Sequence, residues 1–181
     1  LNRNGGVVNE KNLFSEFSGS DKESVINASL VFLLSLNRDL ARMNENDEFN
    51  SFWALNRESL NSYKNTAHLL NSVLEKNKKT ISEENLYALA KKSGVSSFNG
   101  EDFSRKHISI YLSINKNAGK NIFDEVGLAS WPEIKPKGVR DKAYLVLKKE
   151  NKPKHFSEIA GLINKLGFNG KRANVQTVHN E

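Results

Sequence analysis

With 181 residues, 38% of them hydrophobic, and a mean hydropathy of −0.58, the chain can build one large core or two to three small ones. Its formal charge of +6 suits a polyanionic partner. The strongest apolar run, residues 30–34 (LVFLL), is too short to cross a bilayer, and the first residues are too polar for a signal peptide. The absence of cysteine excludes disulfides and thiolate zinc sites and points to a reducing cytoplasm.

The elements recur in one design. Residues 7–17 read as a short amphipathic helix, and residues 21–36 as a second helix ending in FLLSLN. Two apolar runs, 40–43 and 49–55, flank the polar turn 44–47 and predict a β-hairpin. A long helix follows over 57–78, with Leu60, Tyr63, Leu69, Leu70, Val73 and Leu74 near 3.6-residue spacing. Then the pattern restarts. Residues 80–90 predict a short helix, and 101–114 a second one ending in IYLSIN. A hairpin is predicted from 112–114 and 122–128 around the turn 115–120. Trp53 and Trp131, at the ends of the two hairpins, are expected to close the core.

Residues 135–138 (KPKG) form the clearest linker, because Pro132 and Pro136 both resist helix. Helices are predicted over 139–150, 155–163 and 170–181, the last equivalent to the second helix of each earlier copy. Asn9, Ser82 and Ser157 each follow an apolar residue and can cap a helix, and His155 reads as a cap or turn residue. The fold class expected is mainly α with short β-hairpins, arranged as tandem winged helix-turn-helix units. A partial unit covers 1–56, a second 57–131 and a third 136–181. Three helical hairpins in a single bundle are the alternative.

The charge follows this division. Residues 1–56 carry 5 basic groups against 8 acidic, 57–130 carry 11 against 8, and 131–181 carry 11 against 5. A recognition helix needs donors and acceptors facing outward over an apolar back. In the third copy Lys171, Arg172, Asn174, Gln176, Thr177 and Asn180 supply them, with Val175 and Val178 expected to turn inward. Arginine matches the guanine edge and Asn or Gln the adenine edge, each through two bonds, while Lys and Thr more often hold phosphate. In the second copy Arg105 and Lys106, with Lys116 and Lys120 on the hairpin, form a second candidate surface. Arg140, Lys142, Lys148, Lys149, Lys152 and Lys154 add a basic set around the helix at 139–150. The bland alternative for all of these is a solvated surface. The first copy is acidic and is expected to touch protein, or nothing.

No nucleotide-binding, zinc-protease or nucleophile-elbow signature is present, and the four histidines do not assemble a metal site. The pairs Glu83-Glu84 and Asp124-Glu125 read as surface acids. The chain is therefore expected to be no enzyme and to need no cofactor.

Residues 139–148, 155–163 and 176–181 (QTVHNE) resemble, in order, the HARE-type helix-turn-helix domain. That family includes the N-terminal domain of the RNA polymerase delta subunit of some bacteria, and domains fused to restriction enzymes and chromatin proteins. Residues 126–134 (VGLASWPEI) are similar to a run in bacterial sigma-factor-like proteins that end in such a domain. The resemblance spans residues 126–181, under a third of the chain. It implies a DNA-binding transcription protein, sigma-factor-like or associated with RNA polymerase, whose partner is double-stranded DNA. A docking module on RNA polymerase, or the DNA-targeting part of a restriction system, are the alternatives. The family's domain continues past its third helix into a β-hairpin wing. This sequence starts at Leu1 and stops inside that helix, so it reads as a fragment truncated before the wing.

Overall fold

The structure is a computed structural model that describes residues 5–16, 23–168 and 172–181. About half the chain is helical, and the strands are short antiparallel pairs. Strand β1 (Val7–Asn9) leads into α1 (Glu10–Ser15), and α2 (Glu23–Ser35) precedes the hairpin β2 (Ala41–Met43) and β3 (Phe52–Ala54). β3 lies between the other two strands, giving the order β1-β3-β2. The residues before the first helix are therefore strand, where the spacing predicts helix from residue 7. Asn9 separates the two states: its side chain accepts from the backbone N–H of Lys11 at 2.8 Å and caps α1.

Next come α3 (Arg57–Asn77), α4 (Glu83–Lys92), the two-residue strands β4 (Ser97–Phe98) and β5 (Glu101–Asp102), and α5 (Arg105–Ile114). Hairpin β6 (Ala118–Lys120) and β7 (Val126–Leu128) closes this segment. Ile81, between α3 and α4, bridges Val126 of β7 in antiparallel fashion, with Ile81 N–H to Val126 O at 3.0 Å and the reverse bond at 2.7 Å. The strand order is thus Ile81-β7-β6, the same arrangement as β1-β3-β2.

Two boundaries differ from the predicted ones. Residues 101–102 are strand, and the helix begins at Arg105. Residues 112–114 stay in α5, because Ile108, Tyr111 and Ile114 continue a single buried helical face. The hairpin turn therefore falls at 121–125 rather than 115–120. There the Asn121 side chain accepts from the N–H groups of Phe123 and Glu125, and Asp124 takes a left-handed φ of 58°.

One core gathers residues from Val7 to Val126, so it crosses the predicted boundary between residues 56 and 57. Phe49 and Phe52 pack edge-on and tilted against Tyr63 of α3, and Tyr63 meets Phe98 edge-to-face. Trp131 packs half-buried on this cluster, whereas Trp53 is buried outside it with its indole N–H donating to Glu10 at 2.9 Å. The first hairpin is also stitched to the end of α5. Asn50 N–H reaches Ile114 O at 2.8 Å, and the Asn9 side chain donates to Ser113 O at 2.5 Å. These bonds satisfy carbonyls that a helix C-terminus leaves without partners.

A second core holds α6 (Val139–Glu150), α7 (Phe156–Leu166) and α8 (Val175–Asn180) around Leu145, Val146, Ile159, Ile163, Phe168 and Val178. The Asp141 side chain reaches back to Lys137 N–H at 2.9 Å and opens α6. His155 caps α7, and the Glu158 carboxylate in turn accepts from His155 N–H at 3.0 Å. Ser157, predicted as a possible cap, lies inside that helix. Gly167, at φ 69°, ends α7. Among the described residues no helix is long and apolar enough to cross a membrane.

Candidate nucleic-acid interface

Helix α8 is shorter than the predicted 170–181, because Asn174 stands outside it as the N-cap. Its side chain accepts from Gln176 N–H at 2.8 Å, so its acceptor is engaged in the protein. One residue before the cap, Ala173 is clamped by Asn164. The Asn164 amide donates to Ala173 O at 3.0 Å and its oxygen accepts from Ala173 N–H at 2.8 Å. Ala173 and Val178 enter the second core. Val175, expected to turn inward, is instead 44% exposed, because the short helix rotates only Val178 onto the core.

The face left outside is a continuous polar row. Arg172, Asn174, Gln176, Thr177 and Asn180 are all exposed, and Gln176 donates to Asn180 at 3.2 Å. Arg172 has no ion-pair partner among the described residues, and Lys171 lies outside them. His179 packs tilted on Phe156 at 4.6 Å, and Phe156 packs tilted on His155 at 3.9 Å, so an aromatic edge borders the row. This arrangement offers exposed donors and acceptors of the types that suit base edges or a phosphate.

The second candidate surface is held differently. Arg105 pairs with Glu84, Lys106 with Glu101 at 2.6 Å, Lys116 with Glu45 at 2.5 Å, and Lys120 with Glu83. The hydrogen bond from Lys116 holds the Glu45 carboxyl below the usual range, and Lys106 does the same to Glu101. Glu83 in turn holds the Lys120 ammonium above its ordinary value. Exposed pairs of this kind contribute little to stability, so the cations are exchangeable. Each exchange, however, leaves a carboxylate beside an incoming phosphate. Helix α5 also packs along β1, which limits the face it could lay into a groove.

The basic set at 140–154 is dispersed. Lys142 is buried, with its ammonium 5.9 Å from the Phe168 ring centre. Lys148 lies 3.9 Å from Glu133, Lys149 sits over Phe123, and Lys154 pairs with Glu150 at 3.0 Å. Arg140 and Lys152 remain exposed without an ion pair among the described residues.

The chain matches no family model, no curated protein and no solved structure.

A further cationic feature was not read from the sequence. Arg38, Arg42, Asn56, Arg57 and Asn61 line one polar cleft between the first hairpin and the start of α3. Arg42 is held by Glu10 through two bonds of 2.7 and 2.8 Å, whereas Arg38 and Arg57 have no ion pair among the described residues and share the cleft with Asp39. Their separation along the chain gives no motif; only the fold brings them together. Among the described residues no group of three or more His, Asp or Glu side chains could hold a metal ion.

Proposed function

We propose that the chain is a non-catalytic DNA-binding protein of transcription, made of repeated winged helix-turn-helix units, the last of the HARE type. Strand order carries this reading. In both of the first two copies a strand preceding two helices joins the second strand of the following hairpin, β1-β3-β2 and Ile81-β7-β6. In the second pair the hairpin β6-β7 packs against the second helix, α5, which supports reading it as a wing. Residues 136–181 supply three helices in the same order, and their polar row on α8 is the proposed reader.

In this reading Arg172, Gln176 and Asn180 face the major groove, and Arg140 and Lys152 neutralise phosphates. Binding releases counterions and weakens with salt. Docking on RNA polymerase is the second reading. It is favoured by the alternating ion pairs on the second unit, which suit a mixed-charge protein surface better than a polyanion.

Anisotropy of a labelled random-sequence duplex, titrated with the chain across a salt series, tests the proposal. If about three phosphates are neutralised, affinity falls roughly 40-fold between about 50 and 200 mM salt. Arg172→Ala with Gln176→Ala should weaken binding at least about tenfold. Absence of binding at low salt by folded protein sinks DNA reading and leaves docking on polymerase as the better account.

A further inference from the structure

Helix α2 carries an apolar face that no core of the described residues covers. Val25, Phe32, Leu33 and Leu36 are 60–64% exposed, and no residue of α2 joins either core. With Ala28 and Ser29 these residues form one stripe at the i, i+3, i+4, i+7 spacing of a single helical face. The Ser29 hydroxyl donates to Val25 O at 2.9 Å, so the stripe offers no unsatisfied hydroxyl to a partner. An uncovered patch of this size on a monomer marks an interaction surface.

We propose that this face is occupied by α2 of a second copy of the chain, paired antiparallel about a two-fold axis between residues 30 and 31. The shape is self-complementary in that register. Ala28 falls opposite Leu33 of the other copy, Ser29 opposite Phe32, and Val25 opposite Leu36. Each small residue thus faces a large one, and each contact occurs twice. Charge agrees with the register. No charged residue lies between Val25 and Asn37, so self-pairing brings no like charges together along the stripe. Glu23 begins the helix and Arg38 follows it, so antiparallel pairing brings opposite charges to each end and parallel pairing brings like charges. The helix is about 20 Å long. Two such helices bury on the order of 1,000 Å², the lower limit for a specific interface.

Sedimentation velocity of the chain from about 1 to 200 µM reads the assembly. The expected result is a monomer–dimer equilibrium that Phe32→Glu shifts to monomer, with the helical circular dichroism kept because α2 lies outside both cores. Ala28→Leu separates shape from stickiness. It adds apolar surface yet fills the hole that Leu33 enters, and should raise the dissociation constant at least about tenfold. A monomer throughout, a dimer untouched by Phe32→Glu, a dimer tightened by Ala28→Leu, or species larger than a dimer would each overturn the proposal. A monomer would mean that the face serves a different protein.

Discussion

His107 illustrates how much one side chain is fixed by its surroundings. Its ring is fully buried, stacked between Phe98 at 4.6 Å and Phe103 at 5.8 Å. Nδ1 accepts from Ser104 N–H at 3.0 Å, which places the proton on Nε2, and that atom is buried without a hydrogen-bond partner. Burial, helped by the charge of Lys106 and opposed by Glu101, pushes the imidazole below its ordinary pKa. Charging it would also break the bond from Ser104. The unfolded chain therefore binds a proton more readily than the folded one, so stability is full above about pH 6.5 and falls as the pH drops. Urea denaturation at pH 7.5 and 5.5 should show this loss before the carboxylates titrate. His107→Gln, which keeps an acceptor for Ser104 N–H, should be less stable at pH 7.5 but nearly flat between the two values. An equally steep loss in the variant would place the titrating group elsewhere.

At the scale of elements, α8 depends on two bonds from another helix. Asn164→Ala would leave both polar groups of buried Ala173 without partners, at a cost of about 2–3 kcal/mol to the second core. Hydrogen exchange should then show α8 losing protection while α6 and α7 keep most of theirs, and duplex binding should fall with it if α8 is the reader. Retained protection in α8 would show that Val178 and Ala173 alone hold the helix. Such dependence also explains what could be read from the sequence. Helices α3 and α6 were legible because each carries an apolar period near 3.6 residues. Strand β7 falls within the predicted run 122–128, but β6 was not legible, since Ala118-Gly-Lys has almost no apolar alternation. Gly127 is there to admit neighbours: a Cβ would lie 2.7 Å from Trp131 and 2.9 Å from Ile134. A strand reduced to one bridging residue, Ile81, has no period at all. The candidate site was legible by residue type but not by partner. Glu84 is 21 positions from Arg105 and Glu45 is 71 from Lys116, distances at which spacing carries no information.

For the whole molecule, the decisive feature is that the described residues form two cores whose boundary does not fall between the first two predicted units. Phe49 and Phe52 from the first copy, Tyr63, Leu70 and Leu74 from α3, and Ile108 and Val126 from the second copy belong to one cluster, while α6 to α8 build another. Cooperative unfolding follows shared burial rather than repeat boundaries. Leu70 is fully buried, and Leu70→Ala should destabilise its core by about 3 kcal/mol. Hydrogen exchange should show protection falling together in β1, β3, α3, α5 and β7, although β1 and β3 lie in the other copy. Protection in α6 and α7 should hardly change. Ile163→Ala, at a similarly buried position in the second core, should give the reverse pattern. If Leu70→Ala left β1 and β3 protected, the first copy would be a separate folding unit despite its shared aromatic cluster. If either substitution lowered protection everywhere, the contact of Phe123 with the second core would be strong enough to make the whole chain one cooperative unit.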